Sequence, residues 1–529
     1  MDDRKDRQGK LLLGRPFTRR RILQGSLMSG VAVAGASLLP AMPRQARADA
    51  PKKGGNLRVA ILGGSNADTL DAHSEVTQPD SARVMSLYEG LVRIDPAGKL
   101  INVLAESLEA NATATEWKIR LRKGVEFHNG KSIKAEDVAY TLRRIANPKA
   151  PMTGATALKQ LDLEGIKILD DLTLKVPMKV PYAAFPEGIS AVYFFGIVPI
   201  GYDPKKPVGT GPFKFESFTP GSQSVFSRFE NYWQAGKPYL DNLTIIDSFA
   251  GDTAAFNALQ GGQVDVFAYA PLSLIAQVGQ GGPLKALVSK PGQWTPFTMR
   301  VDQAPFDNPD VRMAFRLLVD RQQMINLSLS GYGQVANDVF SPWDPCFDPA
   351  LKRGRDLDQA KFLLKKAGQE NLSVELVTSD FAAGVVQAAQ VFAQQAQAAG
   401  VTVKVRQVTG DVFYGDQYLK WPFAQDYWAY SPYLSQVAQG SLPTAPFNET
   451  HWNNEQYNKL YDQAQAMVDP AKRCEIVQAM QRLDFEQGGY IIASYNQSVD
   501  LMASSVQGFV PAATGIALGN FGFADAWLA

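Results

Sequence analysis

The sequence predicts an α/β protein of at least two lobes, on three observations. Without its first 48 residues the chain is 481 long, beyond the roughly 250–300 residues that a single core serves. Strand-like and helix-like segments alternate throughout, and no repeat is visible. Between residues 373 and 408 a strand, a long helix and a second strand follow one another. That order argues for a parallel element in a mixed sheet.

The elements follow from local pattern. Leu57 to Ile61 alternates and meets Gly63-Gly64, a strand ending in a turn. Glu116 to Leu121 alternates apolar and polar residues and reads as a half-buried strand, with Asn129-Gly130 as a turn beyond it. From Ala135, the residues Val138, Leu142 and Ile145 recur at helical spacing, and Glu136 and Asp137 suit the positive end of the helix dipole. Ser373–Val377 is a strand, Val385–Ala399 a helix stopped at Gly400, and Val401–Val408 a strand. Val311, Phe315 and Leu318 form one helix face, which leaves Arg312 to pair or cap at the surface. Gly209 and Gly211 permit a tight turn that Pro212 closes.

The N-terminal segment is an address. Arg19, Arg20 and Arg21 stand before an uncharged stretch from Ile22 to Leu39, and small residues follow at Ala46 and Ala48. A basic head, an apolar middle and a small-residue site make a secretory signal. Thr18 to Leu23 resembles the twin-arginine export signal, with the mature chain starting at Asp49 or Pro51. Gln24, Ser26, Ser29 and the glycines dilute the stretch, so it falls short of a membrane anchor. Residues 1–48 carry +7 of a chain that totals +1, so the remainder is −6. An acidic mature protein has no net pull toward nucleic acid. Neither cysteine, Cys346 or Cys474, follows the signal, so no lipoprotein anchor is visible. Export permits a disulfide between them, and their spacing neither requires nor forbids one.

Catalytic signatures are missing. There is no His-Glu-x-x-His, Cys-x-x-Cys or Gly-x-Ser-x-Gly, and the three histidines are His73, His128 and His451. No catalytic residue, metal ligand or cofactor site is assigned. Gly130-Lys131-Ser132 imitates the end of a phosphate loop, but Val125 fills the place of its first glycine. His128 reads as structural. A secreted hydrolase and a metal-complex binder stay open as alternatives.

Five segments carry a family resemblance. They are Asp68 to His73 with Leu87 to Leu91; Ala105 to Ser107 with Leu121 to Gly130 and Ala135 to Val138; Gly209 to Phe213 with Asn231 to Trp233 and Lys237 to Asp241; Pro305 to Arg312 with Asp320-Arg321; and Ala360 to Gly368. In this order they resemble the extracellular solute-binding proteins of family 5, the peptide/nickel class that serves ABC importers. The resemblance implies a large, class II-like periplasmic-binding-protein fold. Lobe I would combine 49–92, 205–296 and 495–529, a subdomain of 93–204 would be inserted in it, and lobe II would span 297–494. Hinges would lie near Trp294–Val301 and Ile491–Tyr495. The function implied is capture of a small solute and its delivery to permease subunits, by a monomer in the periplasm and without a cofactor.

Two loops are the ligand-site candidates. One is Val76, Thr77 and Gln78, after His73. The other is Trp421 to Pro432, which holds five aromatics and one acid in twelve residues and contributes Trp421, Asp426, Tyr427, Trp428 and Tyr430. Trp294, at the expected crossing, joins them. Apolar walls with few polar groups suit a small-molecule pocket. Peptide-binding members carry an acid four residues before a proline to hold the peptide ammonium. Aligned on Pro432, that place is Trp428, and the nearest acid is Asp426. The expectation is altered specificity, toward a stacked ring, a sugar face or a delocalised cation.

Overall fold

The computed structural model describes residues 50–74, 77–190, 192–279 and 281–529. Residues 1–49, where the sequence places an export signal, and Val76 lie outside the described residues. Among those described, no helix is long and apolar enough to cross a membrane.

Three sheets organise the chain. The first has seven strands, in the order Leu284–Val288, Val499–Ala503, Val266–Ala270, Asn56–Ala60, Asn242–Ile246, Gln223–Arg228 and Phe213–Thr219. Asn56–Ala60 lies at its centre, parallel to both neighbours. Leu57 and Val59 are fully buried, as the alternation requires. The second sheet has five strands, Thr402–Gln407, Ser373–Thr378, Phe423–Gln425, Phe297–Met299 and Tyr490–Ile491. Its first pair is parallel and is joined by the helix Val385–Gln397, as the sequence predicted. The third is antiparallel, with four strands drawn from Ala105–Ala110, Glu116–Leu121, Thr173–Pro177 and Lys167–Asp170. A small three-stranded sheet pairs Gln293–Trp294 and Gly333–Val335 with Ser494–Asn496.

The motif residues mostly build scaffold. Arg83 is fully buried and donates to Asp68 (2.7 Å), Asp80 (3.0 Å), Asp247 (2.7 Å) and Ser224 (3.0 Å). One cation thus ties the Asp68–His73 segment to the helix Gln78–Leu87 and the first sheet. A buried guanidinium persists only when its donors are met, and here they are. His73 is also buried, with Nε2 bonded to Gly196 O at 2.8 Å. Burial, with Arg144 adding to the effect, lowers its pKa to about 4. His128 is structural: it accepts from Gly209 N (3.2 Å) and bonds to Gly211 O (3.0 Å).

Two local readings need correction. Arg312 is buried rather than superficial, and donates to the carbonyls of Phe306 (2.7 Å), Asp307 (3.2 Å) and Gln487 (3.1 Å). Its helix packs its own cap inward, which the face pattern of one helix could not reveal. Gly209 and Gly211 lead into a bend at 210–212 and not into a hydrogen-bonded tight turn. A Cβ at 209 would lie 2.0 Å from Leu87 O, and one at 211 would lie 2.5 Å from Ser86 O. They are glycines because two backbones touch there.

Cys346 and Cys474 are joined in a disulfide, with Cα atoms 4.7 Å apart. It staples the segment after Ser341 to the long helix Pro470–Gln487.

Candidate functional site

The strand Phe423–Gln425 runs inside the five-stranded sheet, between Ser373–Thr378 and Phe297–Met299. Past Gln425 the chain stays extended and meets the strand Gln293–Trp294. There Trp294 N donates to Trp428 O at 3.0 Å, and Trp428 N returns a bond to Trp294 O at 2.9 Å. The segment Asp426–Trp428 is therefore fixed by backbone against the crossing between the two large sheets. Successive side chains of extended chain point to opposite sides, and three consecutive residues have three environments.

Asp426 turns inward and is 4% exposed. It accepts from Tyr414 Oη at 2.7 Å and from Tyr427 N at 2.8 Å. The Tyr418 hydroxyl and the Glu449 carboxyl are also within hydrogen-bonding reach. Burial raises the Asp426 pKa. Burial, and then the facing Asp426, hold Glu449 well above the usual carboxylate range. Tyr427 points out, 48% exposed, with its ring 5.9 Å from Phe381. Trp428 is half-buried; its indole N–H donates to Glu449 Oε1 at 3.1 Å.

The other candidates divide. Trp294 is 1% exposed, stacked with Trp428 at 5.8 Å and with Phe340 at 5.6 Å, and edged by Tyr490. It has no free face for a solute and belongs to the core. Trp421 is partly exposed, bonded through its indole N–H to Phe413 O (3.1 Å), with Arg406 over its ring at 5.8 Å. Tyr430 is buried, and its amide donates to Thr514 O at 3.4 Å. Thr77 caps the helix Gln78–Leu87 by accepting from Asp80 N at 3.3 Å, and its hydroxyl donates to Asp68 (3.2 Å). Gln78 opens that helix and is exposed. Thr77 is tied to the seven-stranded sheet through Asp68 and Arg83.

Sequence reasoning missed Glu449, Tyr414, Tyr418, Tyr490 and Phe381, which lie about Asp426 and Tyr427. They come from four separate stretches, none with a local motif. The arrangement offers two aromatic side chains at an edge, Tyr427 and Trp428, and turns its carboxyl groups inward.

Comparison with known proteins agrees with this architecture. Residues 99–466 match the model of "Bacterial extracellular solute-binding proteins, family 5 Middle". The glutathione-binding protein GsiB of Pectobacterium atrosepticum is 28% identical over 488 residues, covering 85% of this chain and 90% of that one. Among solved structures, AgaA of A. tumefaciens R10, in complex with agropinic acid, superposes with a TM-score of 0.75 at 24% identity, over 90% of this chain and 99% of that one. DppA of Helicobacter pylori, in complex with the peptide STSA, gives 0.74 at 21% identity, over 90% and 98%. The matched span is most of the chain and contains all of the five-stranded sheet but its edge strand Tyr490–Ile491, together with the segment Trp421–Pro432, so the chain belongs to family 5 of the bacterial extracellular solute-binding proteins, the solute-capturing components of ABC importers.

Proposed function

We propose that this chain captures a small solute with a flat or delocalised face, opine-like rather than a simple di- or tripeptide, and presents it to an ABC permease. One observation carries the ligand class. The place four residues before Pro432 holds Trp428, and the nearest acid, Asp426, is 4% exposed and turned into the protein. A ligand ammonium needs a carboxylate it can reach, because an unpaired buried cation costs several kcal/mol. Exposed aromatic surface at Tyr427 and Trp428 favours a stacked ring, a sugar face or a delocalised cation instead. Relatives of this fold are described with glutathione, agropinic acid and a peptide, so the fold leaves the solute open.

In this reading lobe I is 49–92 with 205–296 and 495–529, the inserted subdomain is 93–204, and lobe II is 297–494. The membership of the three large sheets supports that division. The pairing of Gln293–Trp294 with Tyr495 and Asn496 supports a hinge where the two crossings run side by side. Tyr427 and Trp428 face the solute from lobe II, and Thr77 and Gln78 from lobe I. The protein acts as a monomer in the periplasm, does no covalent chemistry and uses no cofactor. Export takes the twin-arginine route. A periplasmic form beginning at Asp49 or Pro51, lost when Arg19 and Arg20 become lysine, is the expected result; residue 1 retained in that fraction refutes it.

Calorimetric titration with glutathione, di- and tripeptides and opine-like acids tests the ligand class, on wild type and Asp426→Asn. Opine-like acids are expected to bind and simple peptides are not. Micromolar binding of simple peptides, lost in Asp426→Asn, overturns the reading.

A further inference from the structure

The last carbonyls of a helix find no partner within it and must be met from outside. In the helix Glu455–Ala466, Ala464 O is met by the cap at Met467, and Gln465 O accepts from Ala183 N, in a distant stretch of the chain. Ala183 leads into the short helix Phe185–Gly188, whose Glu187 pairs with Arg473 at 3.2 Å. Arg473 stands near the start of the next helix, Pro470–Gln487. One short stretch thus grips two helices at once, the carboxyl end of one and the amino end of the other.

An apolar seam runs beside these polar contacts. Tyr182, Ala184 and Phe185 are buried, as are Tyr461 and Ala464, and all five belong to one continuous core cluster. Burial raises the Glu187 pKa and Arg473 opposes the rise; Asp344, which already accepts from Tyr433 N and Cys346 N, is the other charge felt there. The seam also has a fault. Gln465 Nε2 donates to the Tyr461 hydroxyl, but Gln465 Oε1 is buried without a donor. An unmet buried acceptor costs free energy that contact with water would return. The Glu187–Arg473 pair is partly exposed on both sides, and such pairs are individually weak. The contact therefore forms, and it opens at modest cost.

We infer that the stretch 182–187 and the two helices form a clasp that opens and closes with the cleft and holds part of the solute-free population closed. The inference rests on the two-lobe reading above, in which 182–187 belongs to the inserted subdomain and both helices to lobe II. No covalent bond crosses the clasp, since Cys346 and Cys474 both lie on its lobe II side. Its residues are not among those proposed to face the solute. It acts on how often the cleft is closed and leaves the order of preference among solutes unchanged: apparent affinity scales with the fraction of the chain in the binding form.

The test uses the mature chain without solute. Glu187→Arg and Arg473→Glu each break the ion pair. Each is expected to enlarge the radius of gyration in solution scattering and to speed hydrogen exchange of the Ala183 amide roughly fivefold or more. The double variant Glu187→Arg/Arg473→Glu restores opposite charges and is expected to return both readings toward wild type. Should a charge reversal prevent folding, Glu187→Gln and Arg473→Gln take its place, with the same two shifts expected. A wild-type radius in both single variants overturns the clasp. So does faster exchange at Ala183 without a larger radius, which marks local packing alone, and so does a double variant as open as the singles. A failed clasp leaves the peptide and opine titrations to decide solute capture, and failed titrations leave these solute-free readings to decide the clasp.

Discussion

Asp484 shows at the scale of one residue how burial writes a pH response. It is buried beside Tyr433 and Tyr457, whose hydroxyls both donate to it. Burial pushes its pKa up to about 7 against those two bonds. The folded pKa thus lies above the ordinary aspartate value of about 3.9. The protonated acid is favoured in the folded state, so its contribution is complete below about pH 4 and is lost as pH rises through about 7. Three units correspond to a change on the order of 4 kcal/mol. Asp484→Asn is expected to flatten the fall in stability between acid and neutral pH, read from denaturant midpoints at several pH values. A variant with the full wild-type slope removes Asp484 as its cause. The two stacked tryptophans make a related point. Trp294 and Trp428 are chemically equal in sequence, yet only Trp428 keeps open surface, because Phe340 covers the other side of the stack at Trp294.

Among the elements, the helix Pro470–Gln487 is held at three places. Asp469 caps its start by accepting from Ala471 N and Lys472 N. Arg316 meets its open carbonyl end, donating to Asp484 O (3.3 Å), Phe485 O (3.1 Å) and Gly488 O (2.5 Å). Burial lowers the Arg316 pKa to about 9, and Asp338 works against that shift. The disulfide from Cys474 to Cys346 closes a loop of sequence separation 128. Chain-entropy arguments value such a closure at about 5 kcal/mol. The double Cys→Ser variant is expected to lose a large part of that in denaturant unfolding, with its solute affinity nearly unchanged because the bond lies outside the aromatic edge. Equal midpoints for variant and wild type would show that the unfolded chain gains nothing from its release. The helix from 135 was legible from periodicity and first-turn acids, and the helix from 385 from its Ala/Gln-rich run and its stop at Gly400. Arg316 was not, since its partners lie about 170 residues away.

For the molecule as a whole, the proposed capture of a solute predicts closure. The stretch around 183–187 touches the helices at 455–487: Ala183 N donates to Gln465 O, and Arg473 pairs with Glu187 at 3.2 Å. The strands at 293–294 and 494–496 run together beside Trp428. Closure around a solute predicts a smaller radius of gyration at saturation, measured by solution scattering. It also predicts a stabilisation of about 2.7 kcal/mol at one hundred times the dissociation constant. An unchanged radius with a bound solute would mean that the lobes do not close on it.

Composition, periodicity and short ordered motifs by themselves determined the α/β class, the parallel pair flanking the helix at 385, and the family. All of these are written in neighbouring residues or in a fixed order of segments. The aromatic segment Trp421–Pro432 was legible as a place of interest, for five aromatics in twelve residues need no partner to be noticed. Which of them faces outward was decided only by the tertiary structure. Asp426 is buried because Tyr414 and Tyr418 close over it and Glu449 arrives from another loop. Trp294 is covered because Phe340 stacks on it and Tyr490 meets it edge-on, each from a distant stretch of sequence. Burial is a sum over neighbours distant in sequence, and no local pattern carries that sum.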